Sequence, residues 1–180
     1  MKKLIAAMLL AGSAFSSVAD NSTTEQIGDL GQIAIPVVAL GIAWSKDDTE
    51  GMWQLTKGML INGAIIQATK YATAVQRPNG GDNHTSFPSG HTGAAFGGAA
   101  FLHHRYGLEY GLPAYVAATY VGYSRIYADK HWATDVLAGA AVAYGVSYFV
   151  TTQFQDERLV VTPARFGNSD AQGILFKYQI

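Results

Sequence analysis

The 180-residue sequence has no cysteine, so it can draw no stability from disulfides and cannot carry a lipid on an N-terminal cysteine. Charge is scarce at 14%, and twelve Lys and Arg nearly balance thirteen Asp and Glu. Such a chain has no basic field for a polyanion, which excludes nucleic acid as a partner and gives any local cluster of cations a specific meaning. No internal repeat and no low-complexity tract is present. Every long uncharged segment is broken by Gly, Pro or polar residues, which weakens a membrane-spanning reading. What is plentiful is Ala, Gly and aromatic side chains, the composition of closely packed helices around one core.

Met1-Lys2-Lys3 followed by an apolar stretch from Leu4 to Phe15 has the charged and apolar regions of a secretory signal peptide. Ser17-Val18-Ala19 supplies small residues for cleavage. The apolar stretch falls short of the ~20 residues that a span needs. Cleavage after residue 19 is expected, with a domain over residues 20–180 exported to the periplasm and at most peripheral contact with a membrane.

Within that domain an all-α bundle is expected. Leu30 to Trp44 is apolar enough for a buried helix interrupted at Pro36, and Gly51 to Gln76 repeats apolar residues at helical spacing before Arg77-Pro78 ends it. Asn79 to Asn83 is a loop by its turn chemistry. Further helices are expected from Pro88-Ser89 to Arg105 with Gly107 as the stop, from Leu112-Pro113 to Arg125, and from Trp132 to Phe149. The tyrosines of the last two (Tyr115, Tyr120, Tyr123, Tyr144, Tyr148) are expected in the core, with an entrance for an acyl or prenyl chain as the alternative place for some of them. In the tail over 156–180, apolar residues flank Gly167 to Asp170, the pattern of a short β-hairpin.

Three clusters carry chemistry. Lys70 and Arg77-Pro78 lie seven apart, nearly two helical turns, so on one helix both cations share a face and can converge on an anion; taken alone, they equally complement a helix dipole. In Ser86-Phe87-Pro88-Ser89-Gly90-His91, Pro88 and Ser89 favour a helix start, and Gly90 allows a ligand close to free backbone N–H groups. His91 would sit in that first turn, either as a functional group or as a core histidine. The third cluster is Ser124-Arg125, His131 and Asp135. His131 and Asp135 are four apart, so the carboxylate can accept one imidazole proton and leave the other nitrogen free to attack; such pairs also merely stabilise helices. Asp129-Lys130 is expected to interrupt the helix, because a continuous one would put Arg125 and His131 on different faces. His84 reads as an exposed loop residue, and His103 and His104 as favourable charges at a helix C-terminus.

Together, Lys70, Arg77-Pro78, Pro88-Ser89-Gly90-His91 and Ser124-Arg125 with His131 and Asp135 match a three-part signature. On these residues the sequence resembles the type 2 phosphatidic-acid phosphatase superfamily, which also includes bacterial class A acid phosphatases and vanadium-dependent haloperoxidases. The resemblance spans Lys70 to Asp135. It implies a helical bundle in which Lys70, Arg77 and Arg125 bind phosphate oxygens with help from Ser89 and the Gly90 amide. It further implies that His131 attacks phosphorus, Asp135 orients its imidazole, and His91 protonates the departing alcohol, without metal or cofactor. The implied substrate is a phosphorylated small molecule or lipid head group, with lipid-linked phosphate first and a soluble nonspecific phosphatase second. A haloperoxidase and a non-catalytic lipid-binding protein follow behind.

Overall fold

In the computed structural model, residues 21–155, 159–165 and 172–178 are described. The expected signal peptide, its expected cleavage point and the Gly167–Asp170 turn lie outside them. The described chain forms five helices, α1 Asn21–Ser45, α2 Thr49–Thr73, α3 Gly90–Tyr106, α4 Leu108–Tyr127 and α5 Ala133–Val150. Two strands follow, β1 Leu159–Arg165 and β2 Gln172–Tyr178, paired antiparallel with Leu159 opposite Tyr178 and Arg165 opposite Gln172.

The helix boundaries follow from local chemistry. Asp48 caps α2 by accepting from the Gly51 N–H at 2.8 Å. That helix stops at Thr73, three residues before the expected end, because Ala74 turns left-handed at φ 46° while its N–H still reaches the Lys70 carbonyl. Ser89 caps α3 and Gly107, at φ 94°, closes it. Helix α4 begins four residues earlier than expected; Pro113 is its sixth residue and deprives it of one early hydrogen bond instead of opening it. Likewise α1 starts well before Leu30 and continues through Pro36. Asp129, at φ 51°, breaks the chain between α4 and α5 where an interruption was expected.

Helix α3 lies at the centre, packed by α1, α2, α4 and α5. Its small residues let the others approach: Ala95, Ala99 and Ala100 are fully buried beside Phe101 and Leu102, and a Cβ on Gly98 would press on the backbone of Pro36. Asn62 of α2 is buried and donates to the Gly93 carbonyl at 2.9 Å, a polar clasp in an apolar face. Tyr115 packs on this core, whereas Tyr123, Tyr144 and Tyr148 are exposed on the outer faces of α4 and α5, contrary to expectation.

The two ends of the bundle differ. At one, Asp48 forms a buried ion pair with Arg105 and accepts from Tyr106, and Arg105 also donates to the Thr152 carbonyl at 2.7 Å. At the other, the C-terminal ends of α2 and α4 meet the N-terminal ends of α1, α3 and α5. Outside, the bundle is apolar: Leu30, Val37, Trp44, Leu60, Val116, Leu137 and Phe149 are all exposed. Two segments, 23–45 and 133–150, are long and apolar enough to cross a membrane, and only 28% and 22% of their apolar stretches is buried inside the bundle. A soluble core helix would be mostly buried, so these faces suit membrane association.

Candidate active site

The end where five helix termini meet encloses a cavity of about 280 Å³ lined by Glu25, Asp29, Arg77, His91, Arg125, Lys130 and His131. The N-terminal turns of α3 and α5 converge there, and their backbone dipoles favour an anion.

His131 stands just before α5, held by its own N–H bonding to the Arg125 carbonyl at 3.2 Å, and its side chain is only 3% exposed. Its Nδ1 lies 3.4 Å from Asp135 Oδ2 and 3.5 Å from Ser86 Oγ. Asp135 Oδ2 also accepts from Ser86 Oγ at 2.5 Å and from the Trp132 N–H at 2.9 Å. With Nδ1 facing a carboxylate, the proton sits there and the lone pair is left on Nε2, which has no hydrogen-bond partner among the described residues. Burial, then the charges of Lys70 and Arg77, pull the His131 pKa down to about 4 against the raising effect of Asp135. The ring is therefore neutral at ordinary pH, with the Nε2 lone pair available.

His91, second residue of α3, lines the same cavity, and its Nε2 lies 2.9 Å from Asp29 Oδ1. Burial and the charge of Arg125 lower its pKa, Asp29 raises it, and Arg77 lowers it further. Arg125 is 2% exposed and spends its guanidinium on Asp29 Oδ1 at 2.6 Å, the Glu25 carbonyl at 2.6 Å and Ser124 Oγ at 3.0 Å. Arg77 differs: its buried Nε has no partner among the described residues, an unsatisfied charged donor on the cavity wall.

The remaining expected phosphate ligands stand behind this wall. Lys70 and Arg77 do not share a helical face, because α2 ends between them; an extended segment pinned by Ser86 N–H to the Val75 carbonyl carries Arg77 into the cavity. Lys70 Nζ instead donates to the Thr85 and Ser86 carbonyls, at 2.5 and 3.2 Å, with its pKa lowered to about 8 by burial and by Arg77. Ser89 is fully buried, accepting from Thr92 as the α3 cap and donating its N–H to the Asp135 carbonyl at 2.9 Å. Gly90 opens α3 beside it without lining the cavity.

Four participants were not expected. Ser86 belongs to the second cluster but was assigned no role, and it bonds the Asp135 carboxylate. Lys130 pairs with Glu25 at 3.1 Å, and Glu25 and Asp29 come from α1. The signal for the latter two is an acidic pair four apart opening an apolar helix, where an unpaired carboxylate would be costly. His84 is exposed; His103 and His104 bond Tyr115 and Ser147 at the C-terminal end of α3, about 18 Å along the helix from His91.

Comparison with known proteins bears on the fold and the family. A region of 88 residues, 47% of this chain, is 43% identical to a lipid A 1-phosphatase of Porphyromonas gingivalis, and the match covers 20% of that relative's length. The crystal structure of Aquifex aeolicus LpxE superposes with a TM-score of 0.63 over 76% of this chain and 88% of that one; at 22% identity this shows a common fold. The family model of the PAP2 superfamily matches residues 51–159, more than half of the chain and every signature residue from Lys70 to Asp135, and the protein belongs to that superfamily.

Proposed function

We propose that the chain is a metal-independent phosphatase that hydrolyses a phosphomonoester or pyrophosphate, lipid-linked, through a phosphohistidine intermediate. The observation that carries the reading is the cavity into which a neutral, carboxylate-oriented His131, His91 and the guanidinium groups of Arg77 and Arg125 all open. In the first step His131 Nε2 forms a bond to phosphorus as the bond to the leaving oxygen breaks, and His91 gives that oxygen a proton. In the second, His91 takes a proton from water, whose oxygen displaces His131 and releases phosphate. Arg77 and Arg125, with the helix N-termini, offset the charge on the transferring group. Lys70 acts from behind, fixing the 85–86 backbone that delivers Ser86 to Asp135.

The apolar outer faces of α1 and α5 support a lipid substrate over a soluble one, and we place the protein at a membrane with its site on the periplasmic side, after loss of residues 1–19. The chain spans only a fifth of the lipid A 1-phosphatase that it matches, so lipid A enters as one candidate among several. Phosphate release by purified protein should be measured against lipid A, phosphatidylglycerol phosphate, undecaprenyl pyrophosphate, phosphatidic acid and an aryl phosphate, with and without EDTA. Turnover of a lipid phosphate, unaffected by the chelator and abolished in His131→Ala, is expected. Loss of activity in EDTA, or a His131→Ala protein that still turns over, defeats the mechanism. Amino-terminal sequencing and carbonate extraction test the location: a start at Asp20 and resistance to extraction are expected.

A further inference from the structure

Asp29 belongs to α1, outside the stretch matched by the family model, yet its Oδ1 touches two groups of the site at once: His91 Nε2 at 2.9 Å and Arg125 Nη1 at 2.6 Å. The placement is fixed by three anchors on the same helix. Gly28 lies so close to α4 that a Cβ there would collide with Ser124 Oγ and Arg125 Nη2. The Glu25 carbonyl takes the other arm of the Arg125 guanidinium, and the Glu25 carboxylate holds Lys130. Helix α1 is thereby docked on the catalytic end of α4 with Asp29 directed at His91.

His91 faces Arg77 from the loop after α2, Arg125, Lys130 and His131 from the α4–α5 region, and Asp29 and Glu25 from α1. Its surroundings are thus dominated by cations, which disfavour the protonated ring that a general acid needs. Asp29 is the carboxylate that contacts it. We infer that Asp29 is the positioning residue of the general acid: it holds His91 Nε2–H, gives the imidazolium a counter-charge among the cations, and leaves Nδ1–H to pass to the leaving oxygen. His91 Nδ1 makes no hydrogen bond to any described residue. The two histidines then each have a carboxylate partner, Asp135 on the nucleophile and Asp29 on the acid. Asp135 is 1% exposed, whereas the Asp29 side chain is 48% exposed at the cavity mouth. The inference rests on the phosphatase reading and extends it to a helix that the signature does not reach.

The test uses the full-length protein and two aryl phosphates that differ in the need for a proton at the leaving oxygen. Phenyl phosphate needs it; 2,4-dinitrophenyl phosphate leaves unaided. Asp29→Asn should lower kcat/KM for phenyl phosphate roughly 30-fold and for the dinitrophenyl ester less than about threefold, a fraction of what general acid catalysis supplies. The basic limb of the kcat/KM profile for phenyl phosphate should move down by about one pH unit, and Asp29→Glu should recover part of both effects. The ratio of the two substrates on one preparation is independent of how much of the variant is folded. Equal losses on both substrates with an unshifted profile would reduce Asp29 to a structural tether. Faster turnover would make it an obstruction that substrate must displace. His91→Ala serves as the reference: if it shows no leaving-group dependence, the role of His91 falls and the inference with it, whereas dependence in His91→Ala without any in Asp29→Asn overturns the inference alone.

Discussion

Asp135→Asn isolates the charge of the His131 partner from its hydrogen bonds. A single oxygen of Asp135, Oδ2, accepts from Ser86 and from the Trp132 N–H and faces His131. The Trp132 N–H can only donate, so in the variant the amide oxygen takes that place and the pattern of contacts survives while the negative charge is lost. In the proposed mechanism the charge matters little at rest, when His131 is neutral, and much once phosphorylation leaves the ring positive with its proton on Nδ1. Two unit charges about 4–5 Å apart at an effective dielectric of ~20 interact by about 4 kcal/mol, which is roughly a thousandfold in the phosphorylation rate. Rapid-quench measurement of the dinitrophenolate burst, with alkaline trapping of the phosphoprotein, reads that step directly. The resting fold should lose only about 1–3 kcal/mol from the weakened hydrogen bonds, visible as a modest fall in Tm. A burst rate within tenfold of the wild type would show that Asp135 contributes orientation and no charge, and the reasoning from the 3.4 Å contact would be refuted.

Arg125→Lys should cut kcat/KM for an aryl phosphate by about two orders of magnitude, because an ammonium cannot reproduce three directed contacts of a guanidinium; steady-state kinetics decide it, and near-normal turnover would remove Arg125 from the anion site. Gly28→Val should destabilise the fold by about 1–3 kcal/mol through overpacking against Ser124 and Arg125, read as a lowered Tm. At the opposite end, burial works to raise the Asp48 pKa but is outweighed by hydrogen bonds from Arg105, Tyr106 and the Gly51 N–H, so the folded value is depressed. A depressed carboxyl contributes stability that is present above its ordinary pKa and lost as pH falls through the folded value. Asp48→Asn should therefore cost about 3 kcal/mol at neutral pH and flatten the acid limb of a Tm-against-pH curve.

The parts of the fold legible in the sequence are those where a single residue decides. Ser89 and Gly107 bound α3, and the Asp129 break separates α4 from α5, because capping and left-handed turns are local events. The misplaced boundaries arise where tertiary contacts override a local signal. Pro78 suggested a helix running to Gln76, yet Ala74 turns left-handed so that Val75 can receive the Ser86 N–H. Thr24 and Glu25 lie ahead of the helix expected from Leu30, but Thr24 is buried and Glu25 is paired with Lys130, so α1 includes them. Tyr123, Tyr144 and Tyr148 were expected chiefly in the core because large aromatic rings favour burial; in a chain whose outer faces carry Trp44 and Phe149, aromatic exposure has a different meaning.

The site divides along the same line. Spacing alone brings His131 to Asp135, since four residues across a helix start fix that distance. It does not separate residues that touch an anion from residues that shape the wall behind it, because both classes are polar and sit at helix ends. Lys70 and Ser89 differ from Arg77 only in what their donors meet: the loop carbonyls for Lys70, the α3 cap for Ser89, and nothing among the described residues for Arg77 Nε. Asp29 was hidden for a further reason. Its partners, His91 and Arg125, lie 62 and 96 residues away, and no local rule joins an acidic residue on an apolar helix to cations so distant. The clue is energetic: a sequence this poor in charge that places two carboxylates one turn apart on such a helix must pair them somewhere, and the cations available to face them are those of the site.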